Sequence, residues 1–209
     1  MKTVSKLEMS RALFRLASCA AFAALVLFLP SSCASSSVCR AAPESILLAE
    51  AKVDVSRLVE AMLADGNGMP RPGESAAVSL SGAWKDRPFA AECVLKRGGD
   101  SLVAVFLAPQ MRLATLKMSR PHAIEWDAAP SIPSAFRPEY AIFDLAVARL
   151  PVDALRRSLG DGMAVVEGGG AVRVFAGAKA VAARTRLRDG GVKVENFLWG
   201  YEYMAREMK

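Results

Sequence analysis

Apolar residues recur at helical intervals in residues 45–64, SILLAEAKVDVSRLVEAMLA, at Leu48, Val55, Leu58, Val59, Met62 and Leu63. The second half of this stretch reads as a helix, stopped by DGNGMPRPG, which is dense in turn formers. From Ser75 the period changes to two: Val78, Leu80 and Gly82 alternate with Ser79 and Ser81. FAAECVLKRGGDSLVAVFLAP then reads as two strands joined at Gly98-Gly99, MRLATLKMSR as a third and HAIEW as a fourth. Both faces of residues 102–107 are apolar, as in a strand that is covered on both sides or lines a cavity on one. Val103, Val105 and Leu107 share one of those faces and are candidates to contact an apolar ligand.

The middle of the chain breaks this pattern. DAAPSIPSAFRPEY carries three prolines and reads as a loop. RPEYAIFDLAVARLPVDALRRSLG reads as a helix started by Pro138 and ended by Pro151, then a second helix for which Pro151 is the N1 residue. Tyr140, Phe143, Val147 and Leu150 form one stripe, and Ile142 and Leu145 widen it. A helix this apolar is expected to be buried, filling the concave side of a sheet. Tyr140, Phe143 and Val147 join the ligand-facing candidates.

Strands resume after Gly162 as MAVVE, AVRVFA, AVAARTRLR and VKVENFLWGYEYMAREM, linked by GGG, GAK and DGG. In the last, Phe197, Trp199, Tyr201 and Tyr203 alternate and so are expected on one sheet face. They form either a core ladder of cross-strand aromatics or, through Phe197, Trp199 and Tyr201, an apolar wall for a lipid or polyene. Arg184, Arg186 and Arg188 share a face too, expected to be solvated, with an anionic-headgroup contact as the alternative. The layout is a helix, four strands, two helices, then four or five strands, with hairpin-length links that favour antiparallel pairing. It predicts a mostly β, α+β fold: a curved antiparallel sheet of about eight to ten strands, an open or half barrel, around two or three helices.

Hydrophobic residues make up 53% of the 209, but much of the excess sits in the first forty positions. Those positions have the three parts of an export signal. Lys2, Lys6, Arg11 and Arg15 are basic, residues 16–29 form an apolar run of fourteen, and Pro30-Ser31-Ser32 breaks it. The run is shorter than the roughly 20 residues that span a bilayer. Two cleavages compete. Cleavage before Cys33 makes a lipoprotein, with residues 1–32 as signal peptide, 33–44 as a Ser/Ala-rich tether and 45–209 as a single globular domain. Ser31, Ser32 and Cys33 suit this, although Pro30 stands where leucine is favoured. Ordinary signal-peptidase cleavage, after Ala34 or Ala41, leaves a soluble periplasmic protein. Ala34 after the cysteine permits passage to the outer membrane.

Removing the signal changes the reading of charge. Four of the 27 basic and one of the 21 acidic residues precede Cys33, leaving 23 against 20, a balance of +3. That is too small to steer nucleic acid, and no nucleic-acid partner is expected. Cys39 and Cys93 remain as thiols besides Cys33, with Cys93 expected as a small core residue and a Cys39–Cys93 disulfide as the alternative. His122 is the one histidine, so neither a zinc site nor a Ser-His-acid triad is expected, and the Glu167–Gly170 stretch EGGG lacks the ending of a phosphate loop. Asp144, as a pair with Arg149, is expected to have a solvated or helix-capping role, with facing the cavity and orienting a ligand as the alternative. The expectation is a non-enzyme without a cofactor.

Three stretches carry a resemblance: FLAPQMRLATL, FRPEYAIFDLAVARLP and ENFLWGYEYM. Over residues 89–208 the chain resembles a family of bacterial outer-membrane lipoproteins encoded beside aryl-polyene and related polyketide-type lipid synthesis genes. It departs from that family's pattern at Ala108, where Thr is common, at Met111, where Gly is common, and at Leu150, where Trp is common. That family is similar in fold to the lipoprotein-localisation carriers, whose half-barrel sheet holds helices in its concavity and binds acyl chains. The resemblance implies an exported protein on the periplasmic side of the outer membrane, anchored through Cys33, that binds or transfers an acyl or polyene-type hydrophobe. The alternative is a structural or assembly lipoprotein acting through an envelope protein partner.

Overall fold

The computed structural model describes residues 45–48, 51–64, 66–84, 86–121, 123–132 and 136–208, all within one unit, Ser36–Lys209. The expected signal segment and tether, Cys33, Cys39 and His122 lie outside the described residues. Period-two alternation and short links give two antiparallel meanders. The first is β3 (Ser75–Trp84), β4 (Arg87–Arg97), β5 (Ser101–Ala108), β6 (Met111–Ser119) and β7 (Ala123–Ala128). The second is β8 (Met163–Gly168), β9 (Ala171–Ala176), β10 (Lys179–Arg186), β11 (Val192–Asn196) and β12 (Tyr201–Glu207). Pairing of β3 with β12 joins them into one ten-stranded sheet, β7-β6-β5-β4-β3-β12-β11-β10-β9-β8, which curls but does not close. The first run holds five strands rather than four, because the alternating stretch from Ser75 pairs as a strand of its own.

The joining pair is tight. Gly82 of β3 lies opposite Tyr203 of β12, and a Cβ there would fall 2.7 Å from the Tyr203 Cα. Only glycine allows that approach.

Three helices occupy one side of the sheet: α1 (Val55–Leu63), α2 (Pro138–Arg149) and α3 (Val152–Leu159). Asp54 caps α1, accepting from the Ser56 and Arg57 amides at 2.9 and 3.3 Å. Leu58, Met62, Phe143, Val147 and Leu155 of the helices meet Leu95, Leu102 and Leu116 of the sheet in a fully buried core. Pro138 and Pro151 bracket α2 as the sequence predicts. Residues 45–54 differ from the helical periodicity: β1 (Ser45–Leu48) and β2 (Ala51–Asp54) pair antiparallel as a separate small sheet ahead of α1.

Arginines from the sheet close the helix ends, where the last carbonyls lack intrahelical donors. Arg97, buried at the end of β4, donates to the Met62 carbonyl at 3.0 Å and to that of Leu63. Arg184 donates to the Leu150 carbonyl at 2.6 Å and to Ala148 at 3.4 Å. A fully solvated Arg184 face is therefore incorrect. β10 carries a bulge between Ala180 and Ala182, and Arg184 pairs with buried Val172 on the helix side, while Arg186 and Arg188 are exposed.

The aromatic strand expected over the C-terminal residues is two strands. Gly200 takes a φ of +66°, and its amide donates to the Asn196 carbonyl at 3.0 Å. The Asn196 side chain also accepts from the Leu198 and Trp199 amides at 3.2 and 3.3 Å. Asn196 thus caps a tight turn that separates β11 from β12 and holds Phe197 and Trp199, yet Trp199 still stacks on Tyr201 and Tyr201 on Tyr203, with ring centroids 6.3 and 6.4 Å apart.

Candidate functional site

α2 has two working faces. Ile142, Phe143 and Val147 are wholly buried in the core. A neighbouring stripe, Ala141, Asp144, Leu145, Ala148 and Arg149, instead borders a cavity between the helix and the concave face of β3 to β7 and β12. The stripe spans about 12 Å of helix axis. The cavity measures about 280 Å³, near the lower end of the roughly 300–1,000 Å³ of small-molecule pockets. Its existence has a simple cause. Where helix and sheet face each other the residues are small, with Ala141 and Ala148 above and Ala91, Ala114 and Ala205 below. Leu80, Phe89, Phe106, Trp126, Phe136 and Leu145 supply the larger apolar walls. Glu207, whose side chain is 72% exposed, marks one end where the cavity meets solvent.

One polar cluster interrupts the apolar wall. Asp144 is buried, and its carboxylate accepts from Asn196 Nδ2 at 2.9 Å and from the Tyr201 hydroxyl. Asn196 Nδ2 also donates to the Tyr201 hydroxyl oxygen at 3.2 Å. Burial raises the Asp144 carboxyl from 3.8 to about 6, against the opposing pull of its two hydrogen bonds. Burial, then the Asp144 charge, hold the Tyr201 phenol protonated far above its usual range, and Tyr203 shifts upward for the same reasons. Cys93 lines the cavity, and burial pushes its thiol up to about 12, with Arg149 pulling weakly the other way. At neutral pH it is a protonated thiol, not a nucleophile. Among the described residues no group of three or more His, Cys, Asp or Glu side chains converges as metal ligands would.

Arg149 stands at the solvent end, its Nε donating to the Gly68 carbonyl at 2.9 Å and its Nη2 to Glu207 at 3.1 Å. The expected Asp144–Arg149 pair is not made. Five residues on a helix point about 140° apart, and each side chain has other partners.

None of the nine sequence-predicted ligand-facing residues lines this cavity. Val103, Val105 and Leu107 lie on the opposite face of β5, across from Lys117, Thr115 and Arg112 of β6. The cavity face of β5 is that of Leu102, Ala104 and Phe106, which pairs with Met118, Leu116 and Ala114. Phe143 and Val147 belong to the core stripe of α2, next to the cavity stripe. Tyr140 packs against Trp199, with ring centroids 3.9 Å apart and planes tilted by 33°, and both rings lie outside the cavity. Phe197 is 47% exposed in its turn, and Tyr201 is engaged with Asp144. The residues that do form the walls carried a signal of their own: the clustered alanines and Asp144 within the apolar run of α2.

A family model described as a protein of unknown function, DUF3261, matches residues 75–204. The chain is a member of DUF3261. The match begins at the first residue of β3 and ends within β12, so the DUF3261 region takes in the sheet, α2, α3 and most of the cavity wall, and leaves α1 outside. No curated protein matches the chain.

The Asp144 cluster sets a pH dependence. Between about pH 4 and pH 6 the unfolded chain ionises at this position while the folded chain keeps its proton. The folded state then binds more protons, so this group's contribution to stability falls as pH rises through that window and is constant above it. Asp144→Asn removes the step. In urea unfolding at about pH 4.5 and about pH 7.5, the stability of wild type relative to Asp144→Asn is expected to be greater at the lower pH. An unchanged difference would contradict the assigned shift.

Proposed function

We propose that this DUF3261 chain is an exported, lipid-anchored envelope protein that binds or passes on a hydrophobic acyl or polyene-type ligand, held in the cavity between α2 and the concave sheet. The observation that carries this reading is the cavity itself, an apolar slot of about 280 Å³ under a helix that otherwise fills the hollow. A protein acting only through its outer surface, as a structural or assembly lipoprotein would, has no need of such a space, since filling it with larger side chains adds stability. The chemistry supports binding rather than turnover. The cavity thiol stays protonated at neutral pH, and the Asp144 carboxylate is already engaged by Asn196 and Tyr201.

Export and anchoring rest on the N-terminal pattern: a basic start, an apolar run too short to span, and Cys33 after Ser31-Ser32. In this reading Cys33 carries the lipid, the following Ser/Ala-rich residues form the tether, and the domain works on the periplasmic side of the outer membrane. The ligand class is the one that the sequence resemblance implies, an acyl or polyene-type chain.

Two measurements test the proposal. A fluorescent acyl probe is expected to bind the purified chain with one-to-one stoichiometry. Ala91→Phe, which fills the slot from β4, is expected to weaken binding by about tenfold or more while the chain stays folded by circular dichroism. Unchanged binding by Ala91→Phe would place the ligand elsewhere. For the anchor, Cys33→Ser is expected to move the chain from the membrane fraction to the soluble periplasmic fraction; retention in the membrane fraction would reject lipidation at Cys33.

A further inference from the structure

Arg149 is unusual among the cavity-lining residues: it is a cation, its side chain is only 18% exposed, and it closes one end of an otherwise apolar slot. Two contacts fix it. The Nε–Gly68 bond at 2.9 Å holds the guanidinium to backbone. A Cβ on Gly68 would crowd the Arg149 backbone, so that glycine lets the loop approach closely enough to make the bond. The second contact, from Nη2 to Glu207 at 3.1 Å, is of a different kind. The Glu207 side chain is 72% exposed, on the last residue of β12, and a carboxylate that free in water gains little from its ion pair. A positioned guanidinium thus faces the slot while its anionic partner is easily displaced from the solvent side.

We infer that the ligand is an anionic amphiphile, whose carboxylate or phosphate replaces Glu207 on Arg149 while its apolar chain lies between α2 and the sheet. This rests on the acyl-binding reading above and adds the class of head group. Guanidinium matches carboxylate and phosphate oxygens with two parallel donors, and such charge-assisted bonds are about twice as strong as neutral ones. The cavity also sets the ligand's orientation. Asp144 lies about 7.5 Å back along the helix axis, its oxygens taken by Asn196 and Tyr201, and offers an anion nothing. Leu145 lies between Asp144 and Arg149, and Phe106, Trp126 and Phe136 add apolar wall suited to a chain. The head therefore sits at the Glu207 end and the tail runs toward Phe136.

The test measures binding of dodecanoate, dodecyl phosphate and dodecanol to the full chain by displacement of a fluorescent acyl probe. The two anions are expected to bind on the order of tenfold tighter than dodecanol, the worth of a charge-assisted bond. Their ranking tells a fatty-acid head from a phosphate head. Glu207→Ala is expected to raise the affinity of both anions relative to dodecanol by about two- to fivefold, as loss of an exposed competing carboxylate should. Arg149→Gln is expected to erase the anion preference, with partial recovery in Arg149→Lys. Equal affinities for dodecanoate and dodecanol in wild type, with no response to Glu207→Ala, would overturn the head-group assignment and leave apolar binding standing. Failure of all three compounds to bind would remove both readings.

Discussion

The fold depends on burying α2. Its twelve residues are apolar on nearly every side, so water is a poor environment for it in any orientation. The hollow of a curled antiparallel sheet covers such a helix from several directions at once, and that hollow exists only because β3 and β12 pair across most of the described chain. Gly82 permits that pairing at close range, Arg184 reaches across to close the helix end, and α1 and α3 cover the remaining side. At the cavity this burial is incomplete. The alanines on helix and sheet are too short there to bridge the gap between the two layers.

Asn196 links this packing to the polar chemistry of the site. Its side-chain oxygen caps the turn between β11 and β12, and its amide nitrogen donates to Asp144 on α2. The same turn sets where β12 begins and therefore where Tyr201 delivers its hydroxyl to Asp144. A carboxyl group in an apolar helix is costly to bury without hydrogen bonds, and these two donors give each of its oxygens a partner. They also fix the rotation of α2, which decides that Ala141, Leu145, Ala148 and Arg149 face the cavity while Phe143 and Val147 face the core. The polar triad and the apolar slot are thus one construction.

Much of this layout was legible in the sequence, and the failures are of one kind. Period-two alternation and glycine links revealed the meanders, and Pro138 and Pro151 bracketed α2. What the pattern did not carry was facing. β5 is apolar on both sides, so nothing in Val103, Val105 and Leu107 distinguishes them from Leu102, Ala104 and Phe106 until β4 and β6 are placed beside it. α2 is apolar on most sides, so its stripe of large residues looked like the ligand wall, whereas large residues fill space and small ones leave it. The alternating aromatics around Gly200 mimicked a strand, although Asn196 and Gly200 are the residues a turn requires. Arg184 was hidden by a bulge that only pairing with β9 shows.

The central claim is that an apolar ligand occupies the space between α2 and the sheet. Alanine-methyl NMR reads this directly, because the cavity is walled by methyl groups that the core and the outer face do not share. On titration with dodecanoate, the methyls of Ala91, Ala114, Ala141, Ala148 and Ala205 should shift together and saturate at one equivalent. Those of Ala104, Ala146 and Ala182, buried in the core, should shift far less. Saturable shifts confined to alanines outside the cavity, or none at millimolar ligand, would contradict the account.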